Sequence, residues 1–364
     1  MYQPQDLAIY IHWPFCKSKC PYCDFYKELA RGCDEEKLIS EYLEALKKYH
    51  DLLPERRIKS IFFGGGTPSL ISAENIAKII NFICKNWTIA DNIEVSLEAN
   101  PNSNHPHMFQ DLRAAGINRL SLGVQALNEA DLHFLGRTHT LAEARRSLQE
   151  IVRIFDNHSA DLIYARPQQS LQNWQKELQE ICSYGLKHLS LYQLTIEENT
   201  VFYNKKVKPL DEEKAADLYS FTREYAAEHG YNLYEVSNFA QAGYESRHNL
   251  TYWQGGDYIG IGKSAQGRLT LNGDFFAADY PFCNEKLSAA ERAEELIITG
   301  LRLVRGLDKA TFQNIIGEPL EKFINSAALK NLKELNMLTE TPQSLTAAPQ
   351  GFLVLNTLIS ELCL

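Results

Sequence analysis

Short apolar runs alternate with amphipathic stretches from the N-terminus to about residue 230. The apolar runs are rich in β-branched residues, which is typical of buried strands, whereas the stretches between them have helical spacing. The pattern predicts strands at residues 7–13, 58–63, 93–97, 119–123, 161–165 and 188–194. It predicts helices at residues 34–49, 72–87, 105–115, 141–155, 171–184 and 211–229.

Six strand–helix units in succession predict an α/β fold with a parallel sheet and the helices outside it. Six units are too few to close an eight-stranded barrel, so we expect an open, three-quarter (β/α)6 barrel. The chemistry of such barrels lies where the strands end and the loops begin.

The pattern changes after residue 230. Residues 231–239 predict one more strand, and residues 240–284, rich in glycine, asparagine and aromatics, predict a long irregular connection. Further on, we expect helices at 288–305, 309–316, 320–336 and 350–362, with a hairpin at 338–345. The sequence therefore predicts a core at 1–238, a connecting segment at 239–284 and a mainly helical, winged-helix-like domain at 285–364.

Composition narrows the class of protein. The chain has 364 residues, 45% of them hydrophobic, which is enough for a large core. Its net charge of −9 argues against nucleic-acid binding, because phosphate contacts need clustered lysine and arginine. The sequence shows neither a long apolar run nor a secretory signal, so we expect a cytoplasmic, reducing location.

Three cysteines, Cys16, Cys20 and Cys23, lie in a polar loop after the first predicted strand. Three thiolates at this spacing fit a [4Fe–4S] cluster with one iron left open to a small molecule. A zinc site with His12 as fourth ligand is an alternative, although zinc sites favour close cysteine pairs at two separate places. A disulfide between two of these cysteines is a second alternative, and a reducing compartment does not favour it.

The CxxxCxxC spacing with Tyr22 before its last cysteine resembles the radical S-adenosylmethionine (SAM) signature. Four downstream motifs occur in a matching order: FGGGTPS at 63–69, LEANP at 97–101, LGVQ at 122–125 and HNLTYW at 248–253. Together they resemble the HemW heme chaperones, relatives of the oxygen-independent coproporphyrinogen III oxidases. The resemblance spans roughly residues 7–360 and implies three cofactors: a [4Fe–4S] cluster, SAM and heme.

The glycine run after the second predicted strand is the first candidate SAM contact. Gly65 and Gly66 allow close backbone approach, Thr67 adds a hydroxyl and Pro68 fixes the turn. A tight turn without a ligand is the alternative. The resemblance implies that this loop receives the methionine amino group of SAM.

Polar side chains follow the other strand ends. From the residues alone, Glu98 fits a solvated surface position as well as a hydrogen bond to a ribose or an ammonium. Arg137 offers a bidentate fork for the SAM carboxylate. The SAM site that the resemblance implies consists of Tyr10, Tyr22, Gly65, Gly66, Thr67, Pro68, Glu98, Gln125, Arg137 and Asp161.

The HNLTYW motif is the candidate heme segment. Imidazole is a common axial ligand of heme iron, and Tyr252 and Trp253 offer flat apolar area to a porphyrin. One histidine beside two aromatics is, by itself, more typical of a packed loop. The resemblance implies non-covalent heme binding, with His248 as the axial ligand.

Two features separate the chaperones from the oxidases. Phe25 stands where the oxidases carry a fourth cysteine, and only nine residues precede Tyr10 where they carry a longer extension. We therefore expect a heme chaperone without coproporphyrinogen oxidase activity; the alternative is a radical SAM oxidoreductase acting on a porphyrinogen. The resemblance implies an acceptor protein for heme, in a membrane-associated respiratory system, and an electron donor such as flavodoxin or ferredoxin.

Four residues depart from the family pattern. Arg166 stands at the fifth strand end where the family usually has the leucine of a Gly-Leu-Pro sequence, and its bulk predicts an altered pocket mouth. Lys263 and Gln266 replace other residues in a glycine-rich loop, and Gln266 removes a second histidine that could contact heme. Ser246 removes a thiol next to the candidate heme histidine.

Overall fold

The structure is a computed structural model that describes residues 4–101 and 107–363. The strands of its first part are β1 (Asp6–Trp13), β2 (Phe15–Cys16), β3 (Glu28–Leu29), β4 (Arg57–Gly65), β5 (Thr88–Ala99), β6 (Arg119–Gln125), β7 (Asn157–Tyr164) and β8 (His188–Gln193). The helices are α1 (Glu35–Leu52), α2 (Ala73–Asn86), α3 (Met108–Ala114), α4 (Glu129–Phe134), α5 (Leu141–Ile154), α6 (Leu171–Ser183), α7 (Val201–Asn204) and α8 (Glu212–Glu228).

The six predicted strands form one parallel sheet in the order β1-β4-β5-β6-β7-β8. They belong to a larger, twelve-stranded sheet of the described residues, so the open α/β barrel is confirmed. The helices lie outside because each buries one apolar face on the sheet, in a shared core. Side-chain caps fix the N-termini of α1 and α2. Asp34 accepts from the Lys37 N–H, and Ser72 accepts from the Asn75 N–H. The first two residues of the predicted helix 105–115 lie outside the described residues.

The prediction of a single strand at 231–239 is wrong. The chain forms a hairpin of β9 (Asn232–Leu233) and β10 (Asn238–Ala240), and β10 pairs antiparallel with β8. The buried Glu235 carboxylate accepts backbone N–H bonds from Val236 and Ser237, which turns the chain between the two strands.

The irregular connection predicted at 240–284 is also wrong. The segment contains α9 (Arg247–Trp253), β11 (Tyr258–Ile261), β12 (Arg268–Leu271), β13 (Asp274–Asp279) and β14 (Cys283–Leu287). β11 pairs parallel with β1, with Ala8 opposite Tyr258, and thereby extends the barrel sheet beyond its first strand. Three of the aromatic residues of this segment, Tyr258, Phe275 and Phe276, lie on the added strands, and Tyr252 and Trp253 lie on α9. The domain boundaries at 238 and 285 stay predictions.

The C-terminal part packs around a second apolar core. It comprises α10 (Ala289–Gly300), β15 (Leu307–Asp308), α11 (Lys309–Ile316), α12 (Ser326–Glu334), β16 (Leu338–Glu340), β17 (Ser344–Ala347), α13 (Pro349–Leu353) and α14 (Leu355–Leu362). The predicted helix 320–336 is interrupted because Asn325 caps α12, and the helix predicted at 350–362 breaks at Val354. Among the described residues, no helix combines the length and apolar character needed to cross a bilayer.

Candidate functional site

A cavity of about 420 Å³ opens at the carboxyl ends of the parallel strands. Because these ends meet at one rim, residues far apart in the chain converge there. The predicted residues that line it are Cys16, Cys20, Tyr22, Cys23, Gly65, Gly66, Thr67, Pro68, Glu98, Gln125, Arg137 and Asp161. Tyr10, His248, Tyr252 and Trp253 do not line it.

The three predicted cluster cysteines are reduced and lie at the rim of this cavity. The Thr67 hydroxyl donates to Cys16 Sγ at 3.5 Å, and Arg137 Nη1 donates to Cys20 Sγ at 3.3 Å. Burial raises the pKa of the Cys16 thiol, and the Thr67 hydrogen bond partly offsets that rise. Donors and a cation beside thiols favour the thiolate that binds metal, so this environment fits an iron–sulfur cluster. In the part of the chain described, no three His, Cys, Asp or Glu side chains have the spacing of ligands around one ion.

The glycine loop and the cysteine loop form one hydrogen-bonded unit. Gly66 N donates to the Trp13 carbonyl at 2.6 Å, and Thr67 N donates to the Phe15 carbonyl at 2.9 Å. A Cβ on Gly66 would lie 2.7 Å from the Phe15 oxygen, and Gly65 has φ of 105° with His12 against it. These glycines are therefore needed for the contact between the two loops as well as for ligand approach.

Two carboxyl groups, Glu98 and Asp161, line the same cavity. Glu98 accepts from Gly65 N at 3.3 Å, and Asp161 accepts from Ser121 Oγ at 2.9 Å. Burial, and secondarily the Asp161 charge, raises the pKa of Glu98 to about 8, and burial also raises the pKa of Asp161. Two acceptors short of positive charge fit a ligand with an ammonium and hydroxyl donors, and SAM has both.

This electrostatic strain predicts a pH-dependent stability. The Glu98 pKa is about 8 in the folded chain against an ordinary value of 4.5, so its contribution to stability falls as the pH rises between those values. Glu98→Gln removes the charge, and without SAM it should raise Tm relative to wild type by about 2 °C or more at pH 9, with a smaller difference at pH 5. Calorimetry across this range measures the difference.

Glu197→Gln is the matched control, because Glu197 lines the same cavity but is exposed. Its Tm should follow the wild-type pH profile. Parallel profiles for Glu98→Gln and wild type would show that Glu98 is not strained.

The guanidinium of Arg137 lines the cavity, and its terminal nitrogens have hydrogen-bond partners within the protein. Nη1 donates to Cys20 Sγ and to Tyr22 Oη, and Nη2 donates to Asn100 Oδ1 and, at 3.1 Å, to the Gly123 carbonyl. Only Nε is buried without a partner. In this conformation the guanidinium ties the cysteine loop to the strand ends, and its contact with the SAM carboxylate stays a prediction.

The cavity residues that the sequence did not predict include Asn100 and Tyr192. Asn100 bridges the loops, because its amide donates to Thr67 Oγ1 at 3.2 Å and its oxygen accepts from Arg137. The LEANP motif contains Asn100, so its position two residues beyond Glu98 was a usable signal. Tyr192 lies near the end of β8, where the same strand-end rule applies.

Tyr10 and His12 lie on β1 beneath the glycine loop. The Tyr10 hydroxyl is 3.2 Å from His12 Nδ1, and His12 Nε2 is 3.3 Å from the Tyr26 carbonyl oxygen. Burial lowers the pKa of His12 and raises that of Tyr10. Both ring nitrogens of His12 have partners within the protein, an arrangement that gives no support to the zinc alternative.

His248 lies on α9 inside the barrel. Its Nδ1 is 3.1 Å from Ser60 Oγ, its ring stacks on Phe62 at 5.0 Å, and its backbone N–H donates to Glu94 at 3.1 Å. Burial lowers the pKa of His248 to about 3, so the ring is neutral. The imidazole is therefore packed near the amino ends of the strands, away from the cavity, and its role as an axial ligand stays a prediction.

Arg166 does not line the cavity, contrary to the expectation of an altered pocket mouth. It is 1% exposed, pairs with Glu177, and lies 3.1 Å from Asp131, so it joins α4 to α6 inside the protein. Lys263 and Gln266 are both exposed, and Lys263 pairs with Glu28 at 2.9 Å. Ser246 is buried and caps α9 by accepting from the Asn249 N–H.

An open parallel barrel with three cysteines after its first strand and strand-end acceptors around one cavity defines the radical SAM class. Residues 10–208 match the family described as the radical SAM superfamily, and residues 287–354 match the HemN C-terminal domain. The chain belongs to the HemW family within that superfamily, at identities of about one third over nearly the whole chain.

The relatives include two proteins named heme chaperone HemW. That of Buchnera aphidicola subsp. Schizaphis graminum is 36% identical, covering 91% of this chain and 94% of the relative, and that of Haemophilus influenzae is 33% identical, covering 97% of each. The coproporphyrinogen III oxidase HemN of Escherichia coli shares the fold, with a TM-score of 0.81 at 19% identity over 99% of this chain and 90% of the oxidase.

Proposed function

We propose that the protein is a heme chaperone that binds heme and passes it to an acceptor protein. It carries a [4Fe–4S] cluster on Cys16, Cys20 and Cys23, and SAM in the strand-end cavity. The observation that supports this best is the convergence of three thiols and two carboxyl groups on one cavity, in a chain whose relatives are named heme chaperones. The cluster, when bound, supplies one electron and an open iron for SAM.

Different residues of the cavity bind SAM, leave space for it and stabilise the cluster thiolates. Glu98 and Asp161 accept hydrogen bonds from its amine or hydroxyls, and the Gly65–Gly66 backbone leaves room for it. Gln125 ends β6 with φ of 71°, a left-handed turn that changes the course of the chain at the cavity. Arg137 and Thr67 donate to the thiols and so favour their deprotonated form.

An oxidase function is not proposed. Phe25 lines the cavity and is 66% exposed, so an apolar side chain occupies the position where the related oxidases carry a fourth cysteine. Whether SAM is cleaved is a separate question, and anaerobic turnover of SAM and of coproporphyrinogen on one reconstituted preparation answers it. We expect no protoporphyrinogen, and its formation would instead assign the oxidoreductase function.

Heme titration tests the chaperone function. The full chain should bind heme with a Soret band, and the heme should extract into acidified organic solvent. His248→Ala should shift the band and weaken binding by about tenfold or more if His248 ligates iron. Ser60→Ala is the control, because it removes the hydrogen bond to the ring but leaves the imidazole.

Two outcomes would contradict parts of this proposal. An unchanged Soret band and affinity in His248→Ala would remove His248 as ligand, and the absence of heme binding would remove the chaperone function itself. The proposal has two further parts. Heme is transferred to an acceptor, which is a membrane-associated respiratory protein, and the cluster is reduced in the cytoplasm by a flavodoxin or ferredoxin.

A further inference from the structure

A second cavity of about 470 Å³ lies at the opposite end of the barrel, between the amino ends of β1 and β4 and the C-terminal helices. Its size is in the range of sites for small organic ligands, and such sites are frequent between structural units. One wall is apolar and comes from the C-terminal part. It consists of Leu296, Leu303, Leu307, Phe312 and Ile315.

Lys59 lines the other wall, and a bulge places it there. Along β4, Ile58 pairs with Leu7 and Ser60 with Ala8, so Lys59 is skipped in the ladder with β1. The ladder with β5 skips it as well. A bulge changes the direction of the extra side chain. Lys59 therefore does not follow the alternation of inward and outward side chains along β4, and it faces the cavity.

The acidic groups around this cavity are already engaged. Asp6 pairs with Arg57 at 2.7 Å, Asp257 pairs with Arg56 at 3.0 Å, and Asp308 accepts from the Thr311 N–H as the cap of α11. Lys59 is half-buried, and its ammonium forms no hydrogen bond or ion pair among the described residues, although the charges of Asp6 and Glu94 act on it from farther away. Its charge is therefore left for a ligand to neutralise.

Trp253 lines the same cavity, but its indole Nε1 is buried and does not face the open space. The Lys59 ammonium is a hydrogen-bond donor, so it fits an anionic oxygen group. The apolar wall opposite fits the body of the same ligand.

We propose that this cavity binds an organic carboxylate with an apolar body, whose carboxylate accepts from Lys59. A porphyrin with propionates and a fatty acyl chain share this chemistry. The porphyrin alternative rests on the proposed chaperone function, whereas the acyl alternative is independent of it. In both, the ligand lies at the far end of the barrel from SAM.

Fluorescence titration of the full chain tests the proposal with three probes: metal-free protoporphyrin IX, its dimethyl ester and 11-(dansylamino)undecanoic acid. At least one acid should bind, and for porphyrin the ester should bind about tenfold more weakly. Lys59→Met should lower the affinity for that acid about tenfold, whereas Lys59→Arg should retain it. Lys85→Met, at an exposed surface lysine, is the matched control.

A blocking variant covers the case in which a change at the bulge prevents folding. Thr311 is exposed and lines the cavity, so Thr311→Trp should fill the space and abolish probe binding without disturbing the core. Binding of no acid, or binding unaffected by Lys59→Met and by Thr311→Trp, would overturn the cavity assignment. Heme binding that survives both variants overturns the porphyrin alternative and leaves the chaperone function standing. Acyl binding that both variants abolish, in a chain that does not bind heme, supports the cavity and overturns the chaperone function.

Discussion

Replacing Cys16, Cys20 or Cys23 with alanine should reduce iron from about four per chain to less than about one after anaerobic reconstitution. Each thiol lies at the rim of the strand-end cavity, and two of them accept hydrogen bonds from Thr67 and Arg137. A cluster held by three thiolates loses an iron ligand with any one change, and the remaining two do not retain it. Iron analysis and the visible absorbance of the cluster measure the effect.

Cys33→Ala and Cys84→Ala are the controls for this experiment. Both thiols are reduced, and neither lines the cavity. These variants should reconstitute like the wild-type chain. Full iron content in any of the three loop variants would contradict the assignment of that cysteine to the cluster.

The second large effect is expected for Gly66→Ala. The added Cβ would lie within 2.9 Å of the Pro14 carbon and closer still to the Phe15 oxygen, both backbone atoms that cannot swing aside. The glycine and cysteine loops must then separate, which costs about 2 kcal/mol of unfolding free energy and displaces Thr67 from Cys16. SAM affinity should fall about tenfold or more, with Tm lower by about 3 °C.

Equilibrium SAM binding to the reconstituted protein, with calorimetry of the same samples, measures both quantities. Gly185→Ala is the control, because its Cβ would meet no atom within 4 Å and the residue lies outside the cavity. It carries only the cost of its positive φ and should leave SAM affinity unchanged. Wild-type SAM affinity in Gly66→Ala would show that the contact between the loops does not shape the site.

The position of the cavity could be predicted because strand ends are predictable. Alternation of apolar and polar positions determined the six parallel strands, and parallel strands bring their ends together whatever the detailed packing. Glu98 and Gln125 could therefore be grouped without coordinates, whereas Asp161, the first residue of its predicted strand, was added by the family resemblance. The family resemblance supplied which of these side chains to expect at SAM, and their binding roles remain to be tested.

Other parts could not be predicted because partners far along the chain decide them. Arg166 was expected at the pocket mouth, but a buried pair with Glu177 holds it inside the protein. Arg137 lines the cavity and its contact with SAM stays a prediction, but its hydrogen bonds to Cys20 and Asn100 had no signal in the sequence. The direction of a long charged side chain depends on such partners, and no local pattern encodes them.

The sequence by itself determined the six strand–helix units of the first part, the cysteine loop and the glycine loop, because these depend on local periodicity and short spacing. Only the tertiary structure decided that β11 extends the sheet beside β1, that His248 is buried against Ser60, and that a bulge turns Lys59 to a second cavity. The physical reason is that strand pairing, burial and register are set by contacts between segments tens to hundreds of residues apart, and their free energies appear only when those segments meet.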